Sequence, residues 1–251
     1  DKRPILARIW RVKCLMKTIP IFAHRGVSKS CVENTMLAFK KAQALGVDGI
    51  ELDVQLSKDG VLVVFHDLDL IRLVGKRRNV ADCSLDELRS YKLGSRLQRI
   101  FYRHQIVTLQ EVLDWAIEEQ IPLNIELKES LLLNEQAFRK FLKTIHVPKN
   151  SHFSSFFDQL LMIVKEERPE FETAYIVTKK FNWAAMNDDQ FFDTIHAHKK
   201  YYKRQYLKYC DEAKVGIRFY GVTGNEGFIK NPHPAVLGWI TDYPEKVLKA
   251  Q

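Results

Sequence analysis

Short apolar, β-branched runs alternate with stretches of helical spacing along the chain after about residue 20, the pattern of strands laid parallel with helices packed between them. Nine runs read as strands: Ile21 to His24, Gly49 to Gln55, Val61 to His66, Leu123 to Leu127, Ser151 to Ser155, Thr173 to Val177, Thr194 to Ala197, Ile217 to Val222 and Gly238 to Thr241. An eight-stranded barrel needs one fewer, and the weak Thr194 to Ala197 run is expected to be the irregular one.

Helix starts are marked between the strands. Ser84-Leu85-Asp86-Glu87 and Thr108-Leu109-Gln110-Glu111 both fit a capping box, in which a hydroxyl and a later carboxylate satisfy free backbone donors. The second opens a helix with Leu109, Val112, Leu113 and Ala116 on one face. In NTMLAFKKAQALG, Leu37, Lys41 and Ala42, Leu45 fall at helical spacing, and Gly46 is placed to end the helix. The expected fold is α/β, a (β/α)8 TIM barrel over residues 20–251, with a lid-like insertion after the third strand at residues 67–107 holding one helix.

Composition narrows this picture without deciding it. At 251 residues and 46% hydrophobic, the chain can bury a single large core. Its charge of +8 favours anionic partners. Cys14, Cys31, Cys83 and Cys210 are scattered, which argues against a zinc site or disulfide framework and for a reducing compartment, with the cytoplasm as default. Residues 1–19 interleave apolar residues with Lys and Arg, so they have neither a signal peptide's core nor a transmembrane segment. They read as a basic amphipathic N-terminal segment with peripheral membrane contact as one role.

The chemistry lies in polar residues that interrupt apolar strands. In GIELDVQL, Glu51 and Asp53 stand two apart and point to one side of their strand; Glu126 and Lys128 repeat this in NIELK. Grouped carboxylates in a low-dielectric interior oppose each other's ionisation, and a divalent cation removes that penalty. Three carboxylates without cysteine describe a hard oxygen site suited to one cation, Mg2+ or Ca2+. His24 and His66 each end a short apolar strand, at the rim where barrel enzymes gather their catalytic groups.

The ordered motifs AHRG, ENTMLAFKKAQALGVDGIELDVQLSKDGVLVVFHD, TLQEV, NIELK, SSF and GWITDYP resemble the glycerophosphodiester phosphodiesterase family. The likeness implies a TIM barrel, a divalent metal, and hydrolysis of small-molecule glycerophosphodiesters such as glycerophosphocholine to sn-glycerol 3-phosphate and an alcohol. It implies that His24 and His66 are the acid/base pair, that Glu51, Asp53 and Glu126 hold the metal, and that Arg25 and Lys128 contact phosphate. Glu33 and Asn34 match the family's Glu-Asn-Thr start and read as ordering the first loop and helix. One departure is Tyr220-Gly221-Val222-Thr223, which keeps only the aromatic of a late family motif.

Two other readings stay beside this one: a lysophospholipase D or sphingomyelinase D-like activity, and a silent barrel that binds phosphate esters. Lys76, Arg77 and Arg78 read as a solvated charge run. HAHKKYYKRQYLKYC reads as a tyrosine-rich helix with its lysines in water, so no nucleic-acid partner is expected. His196 and His198 lack an accompanying acid, and His152 has no evident partner.

Overall fold

The computed structural model describes residues 18–188 and 191–251, so the expected N-terminal amphipathic segment lies outside the described residues except at its end. Nine strands form one sheet: β1 (Ile21–His24), β2 (Gly49–Leu56), β3 (Leu62–Val64), β4 (Leu123–Leu127), β5 (His152–Ser155), β6 (Glu172–Ile176), β7 (Thr194–His198), β8 (Gly216–Tyr220) and β9 (Val236–Thr241). All except β3 run parallel, and β1 bonds to both β2 and β9, closing an eight-stranded barrel.

The odd strand is not the one expected. Thr194 to Ala197 lies in β7, which pairs in parallel with β6 and β8 on its two sides. The extra strand is β3, antiparallel to the end of β2 through Val54↔Val64 and Leu56↔Leu62. The connection at residues 57–61 is too short for a parallel return, which needs a crossover of roughly a dozen residues. A weak apolar run became regular because both neighbours satisfy its backbone, while a strong one became a hairpin arm because of its short turn.

Among the described residues, six longer helices pack outside the barrel: α1 (Met36–Ala44), α5 (Leu109–Glu118), α6 (Glu135–Thr144), α7 (Asp158–Glu167), α8 (Arg204–Ala213) and α9 (Pro244–Ala250). Both expected capping boxes are present, at Ser84 and Thr108. The face expected for α1 is corrected. Ala38, Phe39 and Ala42 are buried, while Leu37 and Leu45 are 42% and 44% exposed. Alanine stands at position 38 because α1 sits hard against the first loop there, with the Val27 amide donating to the Ala38 carbonyl at 3.2 Å.

Residues 67–107 hold three short helices rather than one: α2 (Ile71–Val74), α3 (Leu85–Ser90) and α4 (Arg96–Phe101). The first two pack on a satellite core of Phe65, Leu70, Val80, Leu88 and Ile106, separate from the barrel core, and α4 adds no buried residue to it. Along the barrel strands, outward residues such as Ile50, Leu52, Val54, Ile125 and Phe219 are fully buried under the helices. The inner face is polar. Arg218 bonds Glu172 at 2.6 Å, and the rings of His152 and His196 meet edge to face at 5.2 Å. Burial, with Arg218 nearby, pushes both imidazoles well below their ordinary value, so they are neutral.

Candidate active site

Strand register builds the site. In the parallel ladder His24 is level with Glu51, and Asp53 with Glu126, so three neighbouring strands deliver one histidine and three carboxylates to one barrel end. A cavity of about 230 Å3 opens there, lined by His24, Arg25, Glu51, His66, Glu126 and Lys128 among others. Asp53 lies beneath it, fully buried. The structure thus brings all seven residues singled out in the sequence into one cluster.

The turn after β1 explains the His-Arg-Gly sequence. Arg25 and Gly26 both adopt positive φ, at 58° and 78°. A Cβ on Gly26 would also come within 2.6 Å of the Ala38 backbone, so only glycine fits. The turn aims the Arg25 amide at Glu51, donating to its carbonyl at 2.9 Å and to its Oε2 at 3.0 Å. The Arg25 guanidinium reaches Asp53 Oδ2 at 3.1 Å and Glu33 Oε1 at 2.9 Å.

Glu51, Asp53 and Glu126 each place a carboxylate oxygen so that all three lie within 4.8 Å of one another. Lys128 Nζ sits 2.8 Å from Asp53 Oδ1 and also bonds Glu126. Burial raises the Glu51 and Glu126 carboxyls, and the charge on Asp53 raises them further. Burial also opposes ionisation of Asp53, but Lys128 and Arg25 overcome it and hold that carboxyl low. Three carboxylates thus face two permanent cations, and Glu51 Oε1 is buried without a hydrogen-bond partner. An orphaned acceptor among three mutually repelling carboxylates fits a hard divalent cation held by oxygen donors.

Both histidines hold Nδ1 against an aspartate. His24 Nδ1 is 2.6 Å from Asp242 Oδ1, and His66 Nδ1 is 2.7 Å from Asp67 Oδ1. Nε2 of His24 faces Glu51 Oε2 at 3.8 Å. Burial opposes the charged form of His24, but Glu51 and Asp242 outweigh it and raise the imidazole to about 9. Its hydrogen bond to Asp242 in turn holds that carboxyl down at about 2.

Sequence reasoning missed Asp242, although it stands in the quoted GWITDYP. The signal was a carboxylate directly after the last apolar strand, which barrel closure sets beside β1. It also missed Arg72, whose guanidinium bonds Glu33 through two nitrogens at 2.7 Å and Asp67 at 2.7 Å. Glu33 therefore bridges Arg72 to Arg25. Asn34 donates to Asp53 Oδ2 at 2.8 Å, so the Glu-Asn pair buttresses the site as well as ordering its loop. Tyr220, the retained aromatic of the altered late motif, lines the cavity, as does His196. His198 instead accepts from the Lys200 amide at a turn.

The profile of the Glycerophosphoryl diester phosphodiesterase family matches residues 24–227. A glycerophosphodiester phosphodiesterase from Bacillus altitudinis is 31% identical over 245 residues, covering 91% of this chain and 96% of its own. One from Caldanaerobacter subterraneus is 40% identical over 157 residues, 61% of this chain and 64% of its own. Among solved structures, an Oleispira antarctica phosphodiesterase in complex with its product sn-glycerol-3-phosphate superposes with a TM-score of 0.80 at 27% identity, covering 92% of this chain and 96% of that one.

Proposed function

We propose the reaction from one premise: the chain belongs to the glycerophosphoryl diester phosphodiesterase family. It is a phosphodiesterase whose substrates are glycerophosphodiesters of the deacylated-phospholipid kind, cleaved to sn-glycerol 3-phosphate and an alcohol. The observation that carries this reading is the pairing of two aspartate-held histidines with a buried three-carboxylate cluster in one cavity.

Arg25 and Lys128 bind the phosphate and neutralise its nonbridging oxygens as charge builds in the transition state. A divalent cation held by Glu51, Asp53 and Glu126 would add positive charge at those oxygens. His24 and His66 divide the proton transfers. With each Nδ1 hydrogen donated to its aspartate, Nε2 is the working nitrogen: one imidazole takes the proton from the attacking oxygen and the other returns one to the departing alkoxide. The insertion acts as a lid-like wall, since Leu68, Ile71 and Arg72 line a groove that runs from His66 and Lys128. We place the enzyme in the cytoplasm, in keeping with its scattered cysteines.

A lysophospholipase D activity is the second reading. It is favoured by apolar residues at the mouth, where Phe156 is 40%, Leu68 45% and Ile71 53% exposed, a path for an acyl chain. Turnover of glycerophosphocholine and of lysophosphatidylcholine, with and without chelator, tests both. The parent should cleave the first diester only with Mg2+ or Ca2+ present, and His24→Ala and His66→Ala should each be inactive. Full activity in both variants would overturn the site assignment; preference for the lysolipid would select the second reading.

A further inference from the structure

Helix α4 breaks the rule that a short helix survives by burying one face. None of its residues is buried. Leu97, Ile100 and Phe101, at spacings of three and four and so on one side, are 68%, 63% and 76% exposed, and Tyr102 beside them is 56% exposed. Its hold on the protein is polar. Ser95 and Gln98 form a capping box, and Arg99 turns inward to donate to the Gly94 and Leu73 carbonyls at 2.7 and 3.3 Å. The Leu93 amide closes the base of this excursion on the His104 carbonyl at 2.8 Å. The result is a small finger, fixed at its root, with its large apolar side chains turned to solvent.

The charge around the finger is one-sided. Between Lys92 and Gln105 stand Lys92, Arg96, Arg99 and Arg103, with no Asp or Glu. Lys92, Arg96 and Arg103 are exposed, and none has a carboxylate partner among the described residues. Lys76 and Arg77 add to this field from the loop at Gly75, where an added Cβ would lie 3.1 Å from Arg99 Nη2.

We propose that this finger docks the enzyme on an anionic lipid bilayer, its Leu97, Ile100 and Phe101 side chains entering the interface and its ring of cations meeting the head groups. A protruding apolar tip with a cationic collar matches the two layers of such a surface, acyl boundary below and anionic groups above. A nucleic acid would match the cations but leave the apolar tip in water. Docking would seat the enzyme at the source of its substrate class, because α4 rides on α2, the helix that walls the groove leading from His66. The surface is independent of the reaction proposed above and is tested without turnover.

The test uses the full chain and vesicles of phosphatidylcholine alone or mixed in equal parts with phosphatidylglycerol. The parent should sediment with the mixed vesicles and not with the neutral ones. Ile100→Ser with Phe101→Ser should cut partition about tenfold or more through lost apolar insertion. Arg96→Glu with Arg103→Glu should cut it by roughly the same factor through lost charge. Thermal unfolding should be unchanged in both, since the side chains are exposed. Phe101→Trp should gain tryptophan quenching by brominated lipid over the parent, a signal that attachment through residues 1–17 alone would not produce. Equal partition of the variants and parent, or no added quenching at position 101, would overturn the proposal. A parent dimer that the serine pair converts to monomer would overturn it in favour of a second copy, and loss in the glutamate pair alone would overturn it in favour of a polyanion such as RNA.

Discussion

His24 Nδ1 lies 2.6 Å from Asp242 Oδ1 across 218 positions of sequence. The contact joins the ends of the first and last barrel strands, and it leaves Nε2 as the nitrogen available for the proton transfer proposed above. Asp242→Asn removes the charge while keeping the shape. It should lower kcat roughly 10- to 100-fold with KM little changed, because the ring loses its imposed tautomer rather than its place. Steady-state kinetics on a soluble diester would check this, and a change confined to KM would argue against a positioning role.

Glu51 gives a prediction about stability that depends on the cation. With divalent ions chelated, Glu51→Gln should raise the unfolding temperature, because it removes one of three mutually repelling buried carboxylates. With Mg2+ or Ca2+ added, the parent should gain stability by mass action and the variant should gain far less. Thermal melts of both proteins under the two conditions separate these effects. A parent whose melting ignores both chelator and added cation would count against the metal site.

Gly26→Ala should destabilise the fold by about 2 kcal/mol or more, since it combines a positive φ with a clash against backbone that cannot swing away. Activity should fall as well, because the same turn aims Arg25 at Glu51 and Asp53. Urea unfolding measures the first effect; a change within error would show that the α1 contact yields easily.

Acid stability should depend on Glu226. Burial opposes its ionisation, but Lys199 at 2.5 Å and the Thr223 hydroxyl and amide hold its carboxyl down at about 2 from an ordinary 4.5. A folded value below the unfolded one means stabilisation that is complete above the unfolded value and lost as pH falls from 4.5 toward about 2. Glu226→Gln should therefore be less stable than the parent at neutral pH, with the gap closing across that acid range. Urea midpoints taken along a pH series would show it, and a gap independent of pH would refute the charge argument.

Arg72 should matter to the reaction although its guanidinium touches the cavity's histidine only through another residue. It ties Asp67, the partner of His66, to Glu33, the partner of Arg25. Arg72→Ala should lower kcat/KM about tenfold, and Arg72→Lys should recover only part, because one ammonium cannot bond both carboxylates in a guanidinium's planar geometry. Full recovery by lysine would reduce the role to simple charge.

What the sequence made legible was whatever depended on neighbours in the chain. Alternation within one strand placed Glu51 and Asp53 on a shared face, and hydroxyl-to-carboxylate spacing marked the helix starts at Ser84 and Thr108. Contacts made by closure were not legible. Asp242 reaches His24 because β9 pairs with β1, and Arg72 reaches Glu33 because the insertion folds back over the first loop. The misjudged strand has the same origin: β7 looks weak alone, and its regularity comes from β6 and β8. Likewise the buried place of Ala38 on α1 is set by how closely the first loop approaches, which favours alanine there over the larger Leu37.

Barrel closure through β1 and β9 has a consequence for the assembly of the site. Asp242 follows the last barrel strand, whereas His24 ends the first, so the two meet only when β9 docks beside β1. The carboxylate cluster depends on β2 and β4 alone, so a molecule in which β9 has not docked on β1 would hold the cluster and still lack the group that orients its first histidine. Opening that one seam would therefore release the first histidine from its aspartate while leaving the pairing of β2 with β4, and the carboxylates it gathers, in place.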